Sequence, residues 1–169
     1  MRLHGSVGPA RTTIKAVAEE AGVQRATVYR HFPDEASLFE ACSSHWRSLN
    51  PPPDPRSWSG IADPDQRLES ALRDVYRWYE WAEPMLTRTT RDAPLVAAMA
   101  KPVAAGRAWL QGVAAALMEG RPERGRRRER VGAVIHHALE FPTWRSLVVE
   151  HGLSRDDAVE LMARLVTAA

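Results

Sequence analysis

The stretch TTIKAVAEEAGVQRATVYRHF, residues 12–32, decides how this chain is read. Ile14, Val17, Ala18 and Ala21 recur at i, i+3, i+4 and i+7, which puts them on one face of a short helix. Thr12 or Thr13 is placed to cap its start, and Gly22 to end it in the left-handed conformation. A second short helix is expected over about residues 24–31 and is stopped by Pro33. Ala18 is small where the two helices approach, Val23 is expected to plug the space between them, and Ala26 to keep the second helix close to the first. Val28 and Phe32, four apart, face inward. Two short helices joined by the tight Ala21-Gly22-Val23 turn are what reading of the DNA major groove requires.

That inward set leaves Gln24, Arg25, Thr27, Tyr29, Arg30 and His31 pointing outward. Gln pairs with the edge of adenine and Arg with that of guanine. Thr, Tyr and His hold phosphates, and Arg11, Thr13 and Lys15 can add to that grip. Beyond Pro33, Asp34 is placed to cap a third helix running to about Leu49, with Leu38, Cys42, Trp46 and Leu49 as its apolar stripe. The run NPPPDPRSWSG, residues 50–60, then breaks the pattern. The expected organisation is a DNA-binding domain over residues 1–50, a Pro-rich linker over 51–62 and a helical regulatory and dimerisation domain over 63–169.

In that second domain Leu68, Leu72, Val75, Tyr79 and Ala82 form a stripe that Pro84 should end, with a short helix over about 85–91. A long helix is expected from Pro94 to Gly120, kinked at Pro102. Another covers about 124–150 and is interrupted by Pro142. Ser154 caps the last, with Asp156 and Asp157 at its positive end. The architecture is all-α. Trp78, Tyr79, Met99 and Trp109 are the candidate lining of a small-molecule cavity, with ordinary core packing an equal reading for Trp109.

Residues 12–42 resemble the DNA-binding domain of the TetR family of bacterial regulators. The resemblance rests on Ala21-Gly22-Val23 and on the run Thr27-Val28-Tyr29-Arg30-His31-Phe32-Pro33. The stretch LEFPTWRSLVVEHGLSRDDAVELMARLV, residues 139–166, is similar to the last two helices of some members. The family implies a homodimer whose last two helices pair across a two-fold axis; Ile135, Leu139, Trp144, Leu161, Met162 and Leu165 are the residues this assigns to the interface. It implies reading heads about 34–36 Å apart on a near-palindromic double-stranded operator. It also implies a repressor that a small-molecule effector releases.

The chain departs from the family pattern twice. Members begin with a full helix before the Thr-Thr pair, whereas Gly5, Gly8 and Pro9 forbid a long one here. Ile14, Val17, Val28 and Leu38 are therefore expected to be partly exposed, and a start upstream of Met1 is one explanation. The third helix opens on Asp34-Glu35 where members often carry a phosphate-binding lysine. Residues 1–50 hold six Lys/Arg against five Asp/Glu, so the head attracts DNA only modestly by charge.

Composition limits the remaining classes. A net charge of +2 is compatible with a nucleic-acid partner without requiring one. A single cysteine, Cys42, excludes an intramolecular disulfide and reads as an inert buried thiol. No apolar run is long enough for a membrane span and no secretory leader is evident, so a cytoplasmic protein without membrane partners is expected. No phosphate loop, nucleophile elbow or HExxH motif is present, so no enzyme, catalytic residue or cofactor is expected. His136 and Glu140, with His137, have the spacing of a metal pair without a third ligand, so no metal is expected. The arginine-rich run at residues 121–130 reads as a solvated helix start. The alternative to a regulator is a helical interaction or ligand-binding protein that has lost stable DNA binding with its first helix.

Overall fold

The computed structural model describes residues 2–169, and every regular element among them is helical. The helices are α1 (Arg2–Ser6), α2 (Ile14–Glu20), α3 (Arg25–His31), α4 (Glu35–Leu49), α5 (Pro64–Asp92), α6 (Ala100–Met118), α7 (Gly125–Leu139), α8 (Phe141–Trp144) and α9 (Arg155–Ala168). Two compact units result, and neither is contiguous in sequence. One joins the described residues up to Pro51 with Ala82–Gly106; the other joins Pro52–Trp81 with Arg107–Ala169. Both α5 and α6 contribute to each unit.

The first unit has a small apolar core of Ile14, Ala18, Val28 and Leu38, with Val17, Phe32 and Cys42 packed against it. The expectation that a missing first helix leaves these side chains wet is wrong for three of the four: Ile14, Val28 and Leu38 are 7%, 6% and 5% exposed, and Val17 is half-buried. These side chains bury one another, with Val17, Phe32 and Cys42 packed against them. The short turn Ala97–Met99 packs on α4, and Phe39 and Met99 are both buried. Leu49, the last residue assigned to the α4 stripe, is 65% exposed.

Pro84 does not end α5. The helix continues to Asp92, because a proline forfeits one backbone hydrogen bond while keeping a helical φ. The far end of α5 is held from outside the helix. Asp92 is buried and accepts a 3.0 Å hydrogen bond from the Ala10 N–H, Arg91 Nε donates to the Asp92 carboxylate at 2.6 Å, and Arg88 donates to the Ser6 carbonyl at 2.9 Å. Pro102 sits in the first turn of α6, where its missing N–H costs nothing, so it opens the helix and does not kink it from within.

The second unit buries Leu68, Leu72, Val75 and Tyr76 of α5 together with Val113 and Leu117 of α6, Val131 and Ile135 of α7, and Val159 of α9. Pro142 interrupts the α7–α8 run as expected, and the consequence is specific. Ala138 has no N–H four residues on, since that position is Pro142, and the Thr143 N–H turns to Glu140. Two tyrosines of α5 cap the carbonyls so orphaned: Tyr76 Oη donates to Ala138 at 2.8 Å and Tyr79 Oη to Leu139 at 2.7 Å. Arg121, the first of the arginine-rich run, is no surface residue. It is buried and donates to the carbonyls of Leu117 and Pro64 and to Asp65, each at 3.1 Å.

Two measurements check this account. Tyr76→Phe leaves a buried carbonyl unpaired, so it should lower the free energy of unfolding in urea by about 1–3 kcal/mol. Arg91 first, and then the Ala10 N–H, hold the Asp92 carboxyl below its ordinary value of 3.8. A folded value below the unfolded one means stabilisation that is complete above about pH 4 and lost as the pH falls through the lowered value. Wild type should therefore exceed Asp92→Asn in thermal stability at neutral pH, with the gap closing in acid. A gap independent of pH would contradict the ionised pairing.

Candidate nucleic-acid interface

The interface is built from α2, the turn after it, and α3. Thr13 caps α2, its side chain accepting from the Ala16 N–H at 3.1 Å. Ala21 closes the helix and Gly22 takes the left-handed conformation at φ 64°, which lets the Val23 N–H return to the Ala18 carbonyl at 3.0 Å. Gln24 occupies the cap position of α3 but makes no side-chain capping bond, so its amide is left for other partners. Asp34 and Ser37 form a reciprocal capping box at the start of α4, with Ser37 N–H donating to Asp34 Oδ1 at 2.7 Å.

Only Val28 of α3 is buried. At 100° per residue Ala26 and Arg30 lie opposite Val28 and Tyr29 lies to one side, while Arg25 is only about 60° from Val28; all four are exposed, with Tyr29 at 51%. No residue among those described pairs with Arg25, Tyr29, Arg30 or His31, and all four are exposed. Thr13, Lys15, Gln24 and His31 are also exposed, whereas Thr27 is half-buried at the edge of the face. Lys15 lies 3.7 Å from Glu19, a surface pair that offsets part of its charge toward a phosphate.

Two expected packing roles do not hold. Val23 is 40% exposed and Ala26 is exposed, because the inward direction of α3 is set by Val28. Ala26 is thereby moved to the middle of the outward face, a position that suits contact with a thymine methyl group. The acidic opening of α4 is partly countered from within the unit, since Lys101 pairs with Glu40 at 2.9 Å and acts on Asp34 as well.

The remaining candidate residues fall in other places. Trp78 and Trp109 meet in the second unit with ring centroids 5.5 Å apart, and Trp109 Nε1 donates to the Pro53 carbonyl at 3.0 Å. Tyr79 is buried there against Phe141 and Trp144. Met99 belongs to the first unit. An open cleft of about 710 Å³ in the second unit lies between α5 and α9, lined by Leu68, Arg73, Asp156 and Val159 among others and by none of the four. Of the residues assigned to a dimer interface, Ile135, Leu139, Trp144 and Met162 are buried inside the single chain; Leu161 and Leu165 are each 45% exposed on α9. His136 is 3.8 Å from Glu140, but His137 turns to Thr143, and no described group of three ligands is placed to hold a metal. Burial pushes the half-buried Cys42 thiol up, as for an unreactive group. No described helix is long and apolar enough to cross a membrane.

Residues 1–42 match the family model of bacterial regulatory proteins, tetR family. The chain carries a TetR-type DNA-binding domain and is a DNA-binding transcriptional regulator. No curated protein matches it. The family match ends within α4, and it spans both helices of the interface and the cap between them.

If the outward face of α3 carries sequence recognition, single substitutions there should weaken binding without unfolding the head. Arg25→Ala and Tyr29→Ala should each lower affinity for a selected duplex by about ten- to a hundredfold, as for loss of one good base or phosphate contact. Gel shifts on duplexes enriched from random DNA give the affinities, and circular dichroism should show unchanged helix content. Binding unaffected by both substitutions would remove α3 from the interface.

Proposed function

We propose that this regulator is a repressor that binds a near-palindromic operator as a homodimer and leaves it when a small molecule binds the second unit. The observation that carries this reading is the solvent side of α3, where Arg25, Tyr29 and Arg30 stand exposed around an inward anchor at Val28 and pair with no described residue. A single head contacts too few base pairs for high specificity, so two copies related by symmetry are the economical solution. Arg25, Tyr29, Arg30 and Gln24 then read or grip the groove, and Thr13, Lys15, Thr27 and His31 set the register on phosphates.

Leu161 and Leu165 support the two-fold pairing. They are one helical turn apart and exposed, so they project from α9 away from the chain's own core. The half-buried Trp78–Trp109 pair supports an effector of aromatic or apolar character in the second unit. A domain division near residues 51–62 fits the prolines there, with the second stretch carrying the regulatory role.

Sedimentation of the full chain tests the pairing together with operator binding. Wild type should sediment as a dimer. Leu161→Glu with Leu165→Glu should give monomers of unchanged helix content that lose at least about tenfold in operator affinity, because each half-site then binds alone. A wild-type monomer that binds the operator as tightly as expected of two copies would overturn the dimeric reading.

A further inference from the structure

We propose that Asp92, which lies 61 or more residues beyond α3 in the chain, is a positioning residue for DNA binding: it holds the segment Gly8–Thr12 and so sets Arg11 and Thr13 against the DNA backbone. This rests on the DNA-binding reading of the head. The segment has no regular partner of its own. It consists of a single turn, Pro9–Arg11, between the five-residue α1 and the cap of α2. What fixes it comes from the end of α5. Asp92 Oδ2 accepts from the Ala10 N–H at 3.0 Å, and Arg91 reaches from the Asp92 carboxylate to the Val7 carbonyl at 3.4 Å. Thr12 Oγ1 closes the loop on the Gly8 carbonyl at 2.8 Å.

Gly8 gives a second, independent observation. Its φ is 91°, in the region that favours glycine, and a Cβ built on it would collide with both Asp92 Oδ2 and the Arg91 guanidinium. The backbone therefore comes as close to the carboxylate as a residue without a side chain allows. Asp92 itself is 2% exposed, so it faces the segment and not solvent. Arg11 stands exposed at the end of this turn, one residue before Thr12 and two before the Thr13 cap, and is near enough for its charge to act on Asp92. A buried carboxylate with a backbone N–H on one side and a guanidinium on the other holds position more firmly than the neutral contacts around it.

The test uses the full chain and a duplex enriched by the wild type from random DNA, with affinity measured across a range of salt. Asp92→Ala and Gly8→Ala should each reduce affinity by about tenfold, the size of effect expected from one lost charge-assisted bond. Asp92→Asn keeps an acceptor for Ala10 and should fall between Asp92→Ala and wild type. If the loss comes through Arg11, the slope of log affinity against log salt should become shallower by about 0.9 in Asp92→Ala, equivalent to one phosphate contact. Asp92→Ala should then add little to Arg11→Ala. A variant that is merely destabilised would show its full salt slope once folded, and its effect would add to that of Arg11→Ala. Either that additivity or wild-type affinity in Asp92→Ala overturns the proposal while leaving DNA binding by α3 intact. A wild-type chain that enriches no duplex overturns the DNA-binding reading and this inference with it.

Discussion

A seven-residue helix does not hold its shape alone in water, so the reading head depends on how α3 is anchored. Its anchor is one buried side chain, Val28, seated among Ile14, Ala18 and Leu38. Ile14 and Ala18 come from α2, across the turn from Val28, and Leu38 from α4. Ala18 lets α2 come close enough to share the site, and Leu38 covers it from α4. The rest of α3 is free to be polar because Val28 carries the packing. A larger residue at Ala18 or a smaller one at Leu38 would act on every outward side chain of α3 at once, through the rotation of the helix about that anchor.

The anchor also explains which parts of the head were legible in the sequence. The caps were, because they are local: Thr13, Gly22 and Asp34 act within four residues of themselves. The inward position of Val28 was legible from its spacing to Phe32. The packing of Ala97–Met99 on α4 was not, because that turn lies 48 residues beyond the end of α4 and no periodicity reports that distance. Ala26 was assigned inward by its size, but helix rotation puts it outward. Asp92 was invisible for the same reason as that contact. An aspartate at the end of a helical stripe looks like a solvated residue until the chain brings Ala10 to it.

The two prolines of the long helices show the same limit. By local rules Pro84 ends a helix and Pro102 kinks one. In the structure Pro84 lies within α5, whose far end is tied down by Asp92 and Arg88, and Pro102 lies in a first turn where it satisfies the helix start. Pro142 behaves by the local rule, and the tyrosines of α5 then answer for the carbonyls it leaves unpaired. A proline's effect is thus decided by whether distant groups can take up the bond it removes. The sequence locates the proline; the fold supplies or withholds those groups.

Charge gives the final constraint on how the head works. Residues 1–50 carry almost as many acids as bases, and part of the basic charge is already paired, Lys15 with Glu19. A head rich in free lysine gains affinity for any DNA through counterion release, largely regardless of exact geometry. This head has little of that term to draw on. Its binding must come from a small number of contacts held in the correct place, where a misplacement of even one ångström costs much of the energy of a hydrogen bond. That is the physical setting in which a capped α2, a reciprocal box at α4 and a buried carboxylate holding Gly8–Thr12 matter most. Each removes freedom from a residue that would otherwise have to be ordered by the DNA itself.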